Sequence, residues 1–186
     1  MSAAPAAYAR TVKATPQPSV DVTTFRDAAA RFASGVTVAA AAHNGVQHMI
    51  TATAFASLSI EPPLVLLALD RAGQLIGLVR AGGHVGLSVL SAEQEDIGRT
   101  ASVRGRAPRA SVDEAPTTVA VTGAPLLIGA LAWFDCAVES ISEHGDHAII
   151  VGRVVAAACT DGNPLLYFAR HYHRLGMQLG EVGANR

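Results

Sequence analysis

The apolar positions change period several times along this chain. Phe25, Ala28, Ala29 and Phe32 recur at i, i+3, i+4 and i+7, the stripe of an amphipathic helix, with Thr24 and Asp27 at capping spacing before it and Gly35 ending it. Over 36–42 the residues become small and β-branched. His43-Asn44-Gly45 then supplies hairpin chemistry, and a second strand runs on through Met49 to Ser57. Glu61-Pro62-Pro63 breaks any helix, so the apolar run 64–69 is read as a strand buried on both faces. A helix over 74–80 leads through Gly82-Gly83 to a strand over 85–90, and Ser91 with Gln94 forms a capping box that opens the next helix. Residues 99–123 carry Arg99, Arg104, Arg106 and Arg109 among scattered Pro and Ser, lack periodicity, and are read as a surface loop. Strands follow over 131–141, 147–158 and 165–168, parted by His144-Gly145-Asp146 and Asp161-Gly162-Asn163-Pro164. Six or seven strands joined by hairpins, with three short helices, predict a mainly β, largely antiparallel barrel. The expected organisation is a flexible tail over 1–22, one domain over 23–178 and a short tail over 179–186.

Composition sharpens this picture. A chain of 186 residues has room for one domain, and with 50% apolar and 16% charged residues it is no disordered polymer. Only 5% is aromatic, so the core is built from small and branched aliphatics. A formal net charge of −1 lacks the basic footprint of a nucleic-acid binder. Nowhere do about 18 apolar residues run without a charge, so no membrane-spanning helix is expected. The first twenty residues lack the apolar stretch of a secretory signal, which points to the cytoplasm. Cys136 and Cys159 sit in apolar segments without CxxC spacing and read as reduced core thiols.

The common catalytic fingerprints are missing. Nothing matches the P-loop, and Gly82-Gly83-His84-Val85-Gly86 lacks dinucleotide-binding spacing. The seven histidines form no HExxH; only His171 and His173 are spaced to chelate as a strand pair, and no metal site is expected. The unusual segment is Thr51-Ala52-Thr53-Ala54-Phe55-Ala56-Ser57-Leu58-Ser59. Small residues and hydroxyls interleaved on an extended chain let a flat ligand lie against the backbone, although the same pattern fits the wet face of an antiparallel strand.

Longer strings carry a resemblance. FRDAAARFASGVTVAAA from Phe25, TATAFASLSIEPPLVLLALDR from Thr51, VLSAEQ from Val89, GALAWFDC from Gly129, GDH from Gly145 and PLLYFARHY from Pro164 stand in the order and spacing of the flavin reductase-like family, which the chain resembles over residues 24–175. The resemblance implies an FMN-binding split β-barrel, a homodimer with flavin near the subunit interface, and NADH or NADPH as hydride donor. It also implies FMN, with FAD as an alternative, and a flavin-dependent monooxygenase that receives reduced flavin by diffusion. Carried over by position, Thr51, Ala52, Thr53 and Ala54 would lie along the ribityl phosphate. Phe55, Ser57, Leu58 and Ser59 would run beside the isoalloxazine, and Ser88 and Ser91 would close another side. Arg71 would add a cation for the phosphate, His147 of the GDH motif would meet the nicotinamide, and Tyr167, Arg170 and Tyr172 would shape the entrance. The chain departs from the family pattern at Met49, Ala54, Ser88 and His171. Each lost hydrogen bond to a charged group costs about 1.5–3 kcal/mol, roughly one to two decades in affinity. These departures motivate an alternative: a flavin- or ligand-binding split-barrel accessory protein without reductase turnover.

Overall fold

The computed structural model describes residues 18–108 and 115–176. In chain order the elements are α1 (Val22–Ala29), β1 (Ser34–Gly35), β2 (Thr37–His43), β3 (Val46–Ala52), β4 (Phe55–Ser59), β5 (Leu64–Asp70), α2 (Gln74–Gly82), β6 (His84–Val89), a 3₁₀ turn (Ala92–Gln94), α3 (Glu95–Ser102), β7 (Thr117–Thr118), β8 (Leu126–Leu127), β9 (Ala132–His144), β10 (His147–Cys159), β11 (Leu165–Phe168) and β12 (His171–Arg174). Every ladder among them is antiparallel. The mainly β, antiparallel expectation therefore holds. Strands outnumber the expected six or seven because β1, β7, β8 and β12 are too short to show a period.

Seven strands form one sheet in the order β3-β2-β6-β9-β10-β5-β4. Its edge strands, β3 and β4, are consecutive in the chain and separated only by Thr53 and Ala54. Three Cα steps span at most about 11 Å, so the sheet has to curl until its two edges face each other. No ladder joins them, and the barrel stays open along that seam. This corrects the single strand expected through Met49 to Ser57: no Gly, Pro or Asn marks the break at Thr53-Ala54.

The Ala-rich β2 is small because both of its faces are covered. Ala39 and Ala41 face a core inside the barrel with Leu67, Leu69, Leu87 and Ile150, which α2 plugs with Leu75, Ile76 and Val79. Val38 and Ala40 face a second core with Met49, Leu90, Leu127 and Leu165. Each fully buried aliphatic of α2 contributes about 1.5–3 kcal/mol. The β2–β3 hairpin turns on Asn44 and Gly45, whose φ values of 49° and 75° supply the left-handed pair that a tight turn needs. Strand β5 alternates between buried Val65, Leu67 and Leu69 and half-buried Leu64, Leu66 and Ala68, so only one face is fully covered.

Other expectations are also corrected. Helix α1 is capped by Asp21, whose Oδ1 accepts the Thr23 and Thr24 N–H groups, so it begins ahead of Thr24 and inside the stretch read as tail. It ends before Gly35. None of its residues is buried, and Phe25 and Phe32 are 63% and 81% exposed. Residues 1–17 and 177–186 lie outside the described residues, and so do 109–114 of the expected loop. The rest of that loop is built: α3 runs into it, and buried Asp135 accepts the Val121 and Thr122 N–H groups at 2.6 and 2.8 Å and the Thr122 hydroxyl. Cys136 is buried, its thiol pushed up to about 12 by desolvation and then by neighbouring Asp135, whereas Cys159 ends β10 and is exposed rather than in the core. No described helix is long and apolar enough to cross a membrane.

Candidate functional site

The open seam widens into a cleft of about 900 Å³. Thr51, Ala52, Thr53 and Ala54 line it along the β3 side, and Ala68, Leu69 and Asp70 line it from β5. The small side chains left open by the break between β3 and β4 give it a flat wall. Ala54 keeps its carbonyl in the β5 ladder, accepting Ala68 N–H at 3.0 Å. The Thr51 hydroxyl donates to Gly98 O at 2.6 Å and fastens α3 over the barrel. Gly98 permits that approach, since a Cβ there would stand 3.2 Å from Leu90 Cδ1 and 3.3 Å from the Tyr172 hydroxyl.

His147 reaches the cleft from the start of β10, where it pairs in register with Asp70. Its Nδ1 lies 2.7 Å from Asp146 Oδ1. Asp146 is held below the ordinary carboxylate range by the hydrogen bond and charge of His147, so it is ionised and accepts only. Nδ1 therefore carries the proton, and Nε2 is left for a ligand. The turn itself is tied down by Arg71 N–H donating to Asp146 O at 3.1 Å.

Tyr167, Arg170 and Tyr172 also line the cleft, the two tyrosines meeting edge to face with ring centroids 5.6 Å apart. Burial raises the Tyr172 phenol, and the Arg99 guanidinium lies 5.2 Å from its ring centroid. Ala169 and Arg170 form the β11–β12 turn with φ values of 49° and 66°, a conformation that L side chains adopt at a cost of about 1–2 kcal/mol each. Two contacts with α1 and its end hold it: Ala169 N–H donates to Ala30 O at 2.8 Å, and Arg170 pairs with Asp27 at 2.6 Å.

Other predicted site residues fall elsewhere. Phe55 lines an adjoining apolar groove of about 580 Å³ with Phe25, Phe32 and Leu66, which shares Thr53, Ala54, Tyr167 and Arg170 with the cleft. Ser57, Leu58 and Ser59 lie on edge strand β4, outside both spaces. Arg71 stands outside the cleft lining, 3.6 Å from Glu143. Ser88 is buried and accepts Leu127 N–H at 2.9 Å, and Ser91 closes a capping box with Gln94; neither lines the cleft. The ring nitrogens of His171 and His173 face Ala169 O and Phe168 O across their own turn.

The sequence reading missed that His48, Gln74, Arg99, Arg104 and Arg106 line the cleft. The arginine-rich stretch after α3 was the available signal. Four arginines and one carboxylate, Asp70, line the cleft, which favours an anionic ligand. Of those arginines, Arg99 is paired with Glu95 and Arg170 with Asp27, whereas Arg104 and Arg106 have no carboxylate partner among the described residues.

A flat small-residue wall, aromatic rings and a cationic rim fit a planar heteroaromatic carrying phosphate. Comparison with known proteins agrees. Residues 29–176 match the flavin reductase like domain. The chain is 36% identical over 160 residues to the NADH-dependent flavin reductase StyB of Pseudomonas fluorescens, covering 83% of this chain and 90% of that one. It is 38% identical over 152 residues to the reductase component of 4-hydroxyphenylacetate 3-monooxygenase of Thermus thermophilus, covering 81% and 95%. Among solved structures, the NADH:FAD oxidoreductase SgcE6 of Streptomyces globisporus, in complex with NAD and FAD fragments, superposes with a TM-score of 0.78 at 28% identity, covering 86% and 96%.

Proposed function

The chain belongs to the flavin reductase-like family, and from that premise we propose that it is an NADH:flavin oxidoreductase that reduces FMN, or FAD, and supplies reduced flavin to a partner monooxygenase. One observation carries the reading: His147 and the small-residue wall over 51–54 share one cleft with a cationic rim. Bound flavin would supply the hydride acceptor and NADH the donor. This chain positions them and excludes water. Thr51 to Ala54 support the ribityl chain through backbone and small side chains, Tyr167 and Tyr172 close the entrance, and His147 Nε2 offers a hydrogen bond to the nicotinamide side.

The accessory-protein alternative rested on four departures from the family pattern. Only Ala54 lines the cleft. Met49 is buried in the second core, Ser88 is occupied by Leu127, and the His171 ring nitrogen faces Ala169 O. Three of the four therefore take no contact from a ligand in the cleft.

The protein works as a homodimer in this reading. The bare apolar stripe of α1 and the exposed Leu58 and Ile60 beside edge strand β4 give a partner subunit a surface to cover. Ser57, Leu58 and Ser59 would then approach flavin across that edge. Purified protein should oxidise NADH only when FMN or FAD is added, followed at the nicotinamide absorbance. A folded protein inert with both flavins would refute the reductase.

A further inference from the structure

Among the described residues, Arg170 is the one cation that lines both the cleft and the adjoining groove. It stands in a turn that its residue types disfavour: Ala169 and Arg170 both have left-handed φ values, which L side chains keep only where surrounding contacts enforce them. Both enforcing contacts come from α1 and its end. Ala30 O accepts Ala169 N–H, and Asp27 Oδ1 accepts from Arg170 Nη2 at 2.6 Å. Among the described residues no other hydrogen bond or ion pair joins 21–32 to the strands. The guanidinium is only half used, since no described residue accepts from its remaining donors. Arg26 and Arg170 line the groove and no carboxylate does, so the lining favours an acceptor or an anion.

In the reductase reading, on which this inference rests, hydride transfer creates such a charge. The oxidised flavin ring is neutral. NADH gives it two electrons and one proton and leaves as NAD⁺, so the reduced ring is an anion until a second proton arrives. A fixed cation beside the ring favours that product over the starting ring. We propose that Arg170 is this cation, a specificity-determining residue by which the protein holds the reduced ring more tightly than the oxidised one, and that Asp27 is its positioning residue. Asp27 fixes the guanidinium at the junction of the two spaces through one Nη and leaves the other N–H groups for the ring edge.

The test is equilibrium binding of the bare ring, with neither phosphate nor NADH present. Dialysis under argon at mildly alkaline pH, which keeps the reduced ring deprotonated, measures oxidised and dithionite-reduced lumiflavin against wild type, Arg170→Gly, Arg170→Lys and Asp27→Ala. Wild type should prefer the reduced ring. Arg170→Gly, which suits the left-handed turn while removing the charge, should lower that preference about three- to tenfold. Arg170→Lys keeps the charge and should retain most of it. In Asp27→Ala the preference should fall as in Arg170→Gly; a rise would mean that Asp27 only screens the charge, and overturns its positioning role. Equal preference in wild type and Arg170→Gly overturns the proposal, and flavin-dependent NADH oxidation by the same wild type then leaves the reductase reading intact. Wild type that binds neither form refutes both. A preference lost in Arg170→Gly, in a protein that oxidises no NADH, refutes the reductase and supports the role of Arg170.

Discussion

Asp135 and His48 are both polar side chains buried in the seven-stranded sheet, and they differ in what completes them. Asp135 on β9 accepts two backbone N–H groups and a hydroxyl from residues 121–122. His48 on β3 faces a cleft and is completed by nothing among the described residues. A buried group whose partners lie in the chain fixes the fold; one that lines a cavity without such partners is left to solvent or to whatever fills the cavity. Ser88, expected at the ligand, falls in the first class because Leu127 N–H has claimed its oxygen. His147 falls in the second, with one nitrogen pinned by Asp146 and the other open.

The largest effect that sharpens this division is Asp135→Ala, which leaves two backbone donors unpaired and should cost about 3 kcal/mol of stability by denaturant unfolding. A cost below 1 kcal/mol would show that the 121–124 loop does not depend on it. Next is His147→Ala, expected to lower turnover about tenfold or more while flavin affinity stays within about threefold. Unchanged turnover would remove His147 from the mechanism.

Ala169→Gly follows. Releasing one left-handed L residue should stabilise the protein by about 1 kcal/mol, read as a higher melting temperature, with slower turnover if Arg170 needs a rigid turn. The smallest effect is pH-dependent. Burial, and then the Arg106 charge, hold His48 below the ordinary histidine value of 6.5. Below that value the unfolded chain binds a proton that the native protein resists, so stability is complete above it and is lost as pH falls. His48→Gln should flatten the difference in denaturant midpoint between about pH 7.5 and about pH 5.5. A slope unchanged by that substitution would place the titrating group elsewhere.

The strands were legible in the sequence where their period or turn residues were strong. The Asn44-Gly45 hairpin, β5 after the paired prolines, and the long β9–β10 pair sit close to where the pattern puts them. The seam was not legible, because the break at Thr53-Ala54 uses no turn residue and is imposed by closure of the sheet. The role of Asp135 was hidden for a related reason: its partners lie 13 and 14 residues away, in a stretch without periodicity. In the site, motif position found the wall over 51–54 and His147. It could not show that Ser88 is consumed, nor that His48, placed in an apolar strand, turns toward the cleft rather than the core.

The central claim is that hydride transfer takes place in the seam cleft. Ala54, exposed and shared by the cleft and the adjoining groove, is the position from which to test it. Flavin-dependent NADH oxidation should be measured for wild type and for Ala54→Leu, with unfolding curves to confirm that the variant is folded. The account predicts brisk FMN-dependent turnover in wild type and a loss of about tenfold or more in the folded variant, whose side chain fills the flat wall. Equal turnover in the two proteins would contradict it and place the chemistry outside this cleft.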